Sequence, residues 1–165
     1  MFGEMRRKKQ ALPLEACEKI LERGTSGVLA LEGEEGYPYA VPLSYYYEKG
    51  KIFFHCGKRG YKIEALKRNE KVSFCVIDQD QIIPEEYTTY FRSVIVFGKI
   101  RILEGEEEKR RAIEKLALKY APEEPEEKTN RAIDREFSPL CMLELSIEHI
   151  SGKEAIELVR ENRER

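Results

Sequence analysis

The feature that most constrains this chain is the strand period that takes over at Ser26 and returns, between short helical and turn segments, as far as Leu103. Val28 to Leu31 is a short apolar run closed by the acidic, glycine-bearing turn Glu32 to Gly36. Tyr37 to Tyr47 is dense in aromatic and apolar residues, and Glu48-Lys49-Gly50 reads as a hairpin turn. In the return strand, Lys51 to Cys56, Ile52 and Phe54 alternate with Phe53 and His55. Proline has no N–H to give to a ladder, so Pro38 and Pro42 belong at a strand start, an edge or a bulge. Pro42, inside an otherwise good strand, is the local inconsistency in this region.

The rest of the chain fills in around that pattern. Pro13 to Arg23 has a helical face of Leu14, Cys17, Ile20 and Leu21, with Pro13 suited to the first turn and Gly24 to the stop. Gly57 and Gly60 bracket Lys58-Arg59, and a helix is expected over Tyr61 to Arg68. Val72 to Ile77 reads as a strand, Asp78 to Glu86 as a loop, and Tyr90 to Leu103 as a long strand with a bulge at Gly98. A helix is expected over Glu106 to Tyr120, with Ile113, Leu116 and Ala117 inward, then an acidic loop over Ala121 to Lys128. A short helix near Thr129 to Glu136, capped by Thr129, precedes a last strand over Leu140 to Ile150 and a helix from Gly152.

Strands in series, with helices between and after them, predict an α+β fold with a mainly antiparallel sheet of about six strands. Closing such a sheet into a barrel removes most of its edges. At 165 residues the chain fits a single domain over 1–165, with a basic arm at 1–10 and a C-terminal helix at 152–165. No apolar run is long enough to span a bilayer, and no apolar stretch follows the basic N-terminus, which points to a cytoplasmic protein away from membranes. Cys17, Cys56, Cys75 and Cys141 are scattered, which suits reduced thiols and forms no metal motif with the two histidines. A net charge of -2 argues against a general nucleic-acid binder.

That near-neutrality is an average over unlike parts. Between Gly57 and Lys71 there are six basic residues against two acidic ones, while six of the nine tyrosines lie between Tyr37 and Lys71. A glycine-flanked basic turn opening a helix is a sensible anion site, since glycine lets the backbone approach a phosphate and the helix start presents free N–H groups. The pattern G-K-R-G-Y-K lacks the ending and spacing of a Walker A loop. Read from the residues alone, Lys58 and Lys62 are equally at home as solvated charges, Val41 and Leu43 as core, and Arg92 as an ion-pair partner. His55 is open to a functional or a hydrogen-bonded structural role, Cys56 to a passive one, and His149 to a surface or structural one.

Several pieces together resemble the pyridoxamine 5'-phosphate oxidase-related flavoproteins, and within them the 5-nitroimidazole-resistance branch. Gly36 to Pro42 is similar to the family's G-x-P-x-x-V-P strand, and His55 to Lys62 to its H-x-(A/G)-x-x-G-x-K turn. Tyr90 to Lys99 is similar to its Y-x-S-V-x-x-x-G strand; Met5 to Gln10 and Ile150 to Lys153 also fit. The resemblance implies an FMN-binding split β-barrel of Greek-key type that binds FMN at a homodimer interface.

By carry-over, the backbone at Val41, Pro42, Leu43 and Ser44 would line the isoalloxazine ring. His55, Cys56 and Gly57 would lie beside the ribityl chain, Lys58 and Lys62 would hold the phosphate, and Arg92 and Ser93 would complete the partner's site. The implied activity is reduction of a small aromatic or nitroaromatic compound, with a nicotinamide electron donor and His55 assisting proton delivery. The family's arginine-bearing ending for a substrate phosphate has no counterpart in Glu154 to Arg165, which points away from vitamin B6 oxidation. The competing expectations are a non-enzymatic flavin-binding module and a haem-binding relative with His55 or His149 as axial ligand. Related barrels also take deazaflavin.

Overall fold

A computed structural model of the protein describes residues 2–164. Met1 and Arg165, the outer ends of the expected arm and tail helix, lie outside the described residues. The strands are β1 (Ala11–Leu12), β2 (Ser26–Glu32), β3 (Pro38–Ser44), β4 (Tyr46–Glu48), β5 (Lys51–Gly57), β6 (Lys71–Ile83), β7 (Thr88–Ile102) and β8 (Leu140–Glu154). The helices are α1 (Leu14–Arg23), α2 (Tyr61–Arg68), α3 (Glu106–Tyr120), α4 (Glu126–Glu136) and α5 (Ile156–Glu164). All pairings are antiparallel, in the order β3-β2-β6-β7-β8-β5-β4 with β1 added to β8. The expected α+β split barrel is present, with eight strands rather than about six because β1 and β4 are too short to announce themselves.

The closure of the sheet follows from one residue. β3 and β4 stand at opposite ends of the strand order, yet only Tyr45 separates them in the chain. The sheet must therefore curl until its two ends meet, and β3 packs against β5 there without a hydrogen-bonded ladder. Tyr45 is fully buried, and its hydroxyl donates to the Leu21 carbonyl at 2.7 Å. Its ring meets Phe74 edge-on at 5.1 Å and lies 4.3 Å from the Lys119 ammonium. Its N–H donates to the Tyr120 hydroxyl at 3.1 Å, and its carbonyl accepts from Lys119 at 3.2 Å. The end of α3 thus clamps the crossover from outside.

Inside the barrel, Leu29, Ile52, Phe54, Phe74, Val96 and Leu143 form the core with the inner faces of α1 and α2. A second cluster, Leu103, Ala112, Leu116 and Met142, packs α3 onto the outer face of β5 and β8. β8 is consequently buried on both faces from Cys141 to Leu145. Glu144 survives there because Lys51 and Arg101 reach it at 3.1 and 3.0 Å.

Three boundaries differ from expectation, each for a physical reason. The presumed loop Asp78 to Glu86 is mostly strand: β6 continues to Ile83, and a single turn at Pro84–Glu86 leads into β7. Its polar residues hid this, because a hairpin arm held by its partner ladder needs no apolar face. α4 starts at Glu126 rather than Thr129, with Pro125 as its cap and Glu126 and Glu127 well placed against the helix dipole. The tail helix starts at Ile156, because β8 runs on to Glu154. Gly152 belongs to a close approach: a Cβ there would lie 2.5 Å from the Cys17 sulfur and 2.9 Å from Leu12. The end of the basic arm is anchored, since Gln10 is buried and its side-chain amide donates to the Glu154 carbonyl at 3.0 Å.

The proline and bulge placements hold, whereas Leu14, expected on the inward face of α1, is exposed. Pro38 opens β3, and Pro42 sits on that strand at the end of the sheet, in unbroken register with β2. The bulge is at Gly98, where the register with β8 shifts after Phe97. Replacing Tyr45 with Phe removes the hydroxyl that satisfies the Leu21 carbonyl and should cost about 1–3 kcal/mol in urea unfolding while keeping the fold.

Candidate functional site

The side chains of β3 divide by face. Val41 and Leu43 turn inward and pack on the barrel core, whereas Pro42 and Ser44 are exposed. What β3 offers a ligand is therefore its free backbone edge and Ser44, not the two apolar side chains. Proline fits this position because an edge strand can dispense with one ladder donor.

β5 lies across the gap. Its even-numbered side chains enter the core, so His55 points to the opposite face, toward α3. There it shares a cleft of about 290 Å³ with Ser44, Ile113, Leu116, Ala117 and Tyr120. His55 remains exposed as a residue, but the protein around its ring, and secondarily the charge of Lys62, hold its pKa below the ordinary 6.5. It is neutral at pH 7 and keeps one ring nitrogen as acceptor and one as donor. Cys56 faces Cys141 across the ladder. Burial and then the neighbouring Cys141 thiol push its pKa up to about 12, so it is a thiol, not a nucleophile. All four cysteines are free.

From His55 the strand runs through Cys56 and Gly57 into the basic turn. Gly60, at φ 125°, occupies backbone space that side chains disfavour, and it starts α2 without a side-chain cap. The turn separates its two lysines. The charge of Lys62 acts on His55 and Cys56, while Lys58 lines a different cleft and acts on Lys109. Tyr61 packs edge-on against Tyr39, and its hydroxyl accepts from the Glu34 N–H at 2.6 Å, tying α2 to the turn before β3.

Arg92 and Ser93 do not join this group within one protomer. Reading the register across the sheet, Val41 lies opposite Leu29, then Phe74, then Val96, so Arg92 is four residues further along β7. Arg92 reaches Glu154 at 3.1 Å and Asp78 at 3.4 Å, and Asp78 is also held by Arg23. His149 is half-buried, with Phe2 stacked on it at 4.7 Å. The walls that sequence reasoning missed are those from α3. Ile113, Leu116 and Ala117 were legible as an inward helical face, but not as neighbours of His55. Among the described residues, no helix is long and apolar enough to cross a membrane.

The family model described as pyridoxamine 5'-phosphate oxidase matches residues 13–154. The chain belongs to that family. Among solved structures it is similar to an FAD-binding protein from Mesorhizobium loti, at 27% identity and a TM-score of 0.66, covering 88% of this chain and 97% of that one. A candidate 5-nitroimidazole antibiotic resistance protein from Bacteroides thetaiotaomicron shares the fold at 23% identity and a TM-score of 0.71, covering 87% and 85%. So does an FAD and haem binding protein from Mycobacterium smegmatis, at 19% identity and a TM-score of 0.71, covering 89% and 73%. Among curated proteins, none matches the chain.

The site makes one titration prediction. The His55 ring, followed by NMR, should titrate with a midpoint below 6.5, and Lys62→Met should move that midpoint upward without restoring it fully, since burial is the larger cause. A midpoint at or above 6.5 in the wild-type protein would contradict the placement of the ring.

Proposed function

We propose that this protein is an FMN-binding oxidoreductase that reduces a small aromatic or nitroaromatic compound, with the flavin held at a homodimer interface. The observation that carries the reading is contiguity. The free edge of β3 ends at Ser44, Ser44 shares a cleft with His55, and β5 leads directly from His55 to the glycine-flanked turn and Lys62. An apolar-walled slot, a polar backbone edge and a cationic turn in one line fit the ring, the ribityl chain and the phosphate of FMN. Membership of the pyridoxamine 5'-phosphate oxidase family supports the same reading.

When bound, the flavin supplies the hydride and electron transfer. The chain supplies position and environment. Ser44 and the β3 edge orient the ring, Ile113, Leu116 and Ala117 keep water from it, and Lys62 with the α2 N–H groups binds the phosphate, whereas Lys58, expected to share that role, lines the other cleft. His55, neutral at pH 7, relays a proton to the reduced product. No side-chain nucleophile is required.

The homodimer is supported by the outer face of the sheet. Register aligns Pro42, Val28, Cys75 and Ile95 in one row, with Phe97 in the next. Val28, Ile95 and Phe97 are all exposed there, and Ile77 is 65% exposed at the same face. Contiguous exposed apolar surface of this kind marks an interface. Arg92 and Ser93 are the residues proposed to complete the partner's flavin site. Sedimentation should give a dimer for the wild type and a monomer for Ile95→Glu, with weakened FMN binding in the monomer.

The visible spectrum of the purified protein tests the cofactor directly: flavin bands are expected, and a Soret band would replace the reading with a haem one. The variant Lys62→Ala should bind FMN far more weakly while remaining dimeric; wild-type affinity in that variant would remove the phosphate assignment. Anaerobic reduction by a nicotinamide donor, then reoxidation by a nitroaromatic, is the expected activity. A flavin that undergoes neither step would make the protein a flavin-binding module.

A further inference from the structure

A second cleft, of about 370 Å³, lies between α2, the start of α3 and the start of β8, and His55 is not among its walls. Ile63, Ile102, Leu140 and Cys141 give it apolar walls, and Lys58, Lys67 and Lys109 bring ammonium groups to it. Glu104 and Glu106 line it as well. Lys67 is paired with Glu64 at 3.3 Å. Among the described residues, neither Lys58 nor Lys109 has a carboxylate within 4.0 Å.

Lys109 is the unusual member. It is 8% exposed, sits on the buried face of α3, and has its ammonium 4.2 Å from the centre of the Phe137 ring. Its one hydrogen bond among the described residues goes to the Phe137 carbonyl at 2.5 Å. An ammonium carries three donors, so two remain for the cleft. Burial first, and then the positive charge of Lys58, hold the Lys109 pKa below its ordinary value. Covering an ammonium and placing a second one near it is costly unless something negative joins them. The neighbouring cleft at Glu144 shows the ordinary solution, in which Lys51 and Arg101 share its carboxylate. At Lys109 no described carboxylate comes that close; Glu106, on the same cleft, acts on it only from a greater distance.

We propose that this cleft is a second ligand site, which takes a small amphiphilic anion: a carboxylate or phosphate monoester on an apolar body. The negative group sits between Lys58 and Lys109, and the apolar body lies against Ile63, Leu140 and Cys141. The site goes beyond the flavin reading and does not depend on it, because neither Lys62 nor His55 is among its lining residues. It also separates the two lysines of the G-K-R-G-Y-K turn, which the sequence presents as one cluster.

The test uses the full-length protein and three probes: benzoate, phenyl phosphate, and benzyl alcohol as the uncharged counterpart, each followed by NMR titration. At least one anion should bind, and benzyl alcohol should bind about tenfold more weakly or worse. Lys109→Met keeps the aliphatic stem and removes the charge; it should weaken the anion by about tenfold or more while leaving FMN affinity unchanged. Lys58→Ala, at an exposed position, should weaken the same anion and carries the test if Lys109→Met fails to fold. Binding of neither anion, equal binding of anion and alcohol, or wild-type anion binding in the variants would overturn the proposal. Loss of FMN together with the anion in Lys109→Met would also overturn it, by making the cleft part of the flavin site.

Discussion

The hydrogen bond from the Tyr45 hydroxyl to the Leu21 carbonyl fixes the place where the two ends of one sheet are brought together. A strand that passes from one end of a sheet to the other with a single residue between leaves the barrel no alternative but to close. That residue must also fill the closing corner, and Tyr45 does so with its ring against Phe74 and its polar atoms bonded to α1 and α3. The gap left between β3 and β5 follows from this geometry. It is the gap that frees the β3 edge and sets Ser44 beside His55.

The same arrangement sorts the charges. α3 is drawn onto β5 and β8 by Met142, Leu116 and Ala112, and its two ends then do different work. Its last turn, with Lys119 and Tyr120, clamps the crossover and walls the His55 cleft. Its first turns carry Lys109 into the cleft that Lys58 lines. One basic turn therefore bears on two clefts: Lys58 lines one, and the charge of Lys62 reaches His55 in the other.

Much of the fold was legible in local pattern. The limits of α2 and α3, the edge placement of Pro42 and the bulge at Gly98 all follow from periodicity and from what proline and glycine do to a ladder. The misreadings share one cause. The polar arm from Asp78 to Ile83 is strand only because β7 pairs with it, and Gly152 looks like a helix boundary until Cys17 and Leu12 are packed against it. Tyr45 is one of three consecutive tyrosines, and nothing local distinguishes it from Tyr46 and Tyr47.

The chain by itself determined its α+β class, the family motifs and the concentration of positive charge between Gly57 and Lys71. Those features depend on neighbours in sequence, where periodicity and turn chemistry act. Only the tertiary structure decided that the charge of Lys62 reaches His55 while Lys58 shares a cleft with Lys109, and that Arg92 is held by Asp78 and Glu154. Those facts depend on which elements pack against each other, and packing is set by the closing of the sheet at Tyr45, a long-range event that no local spacing records.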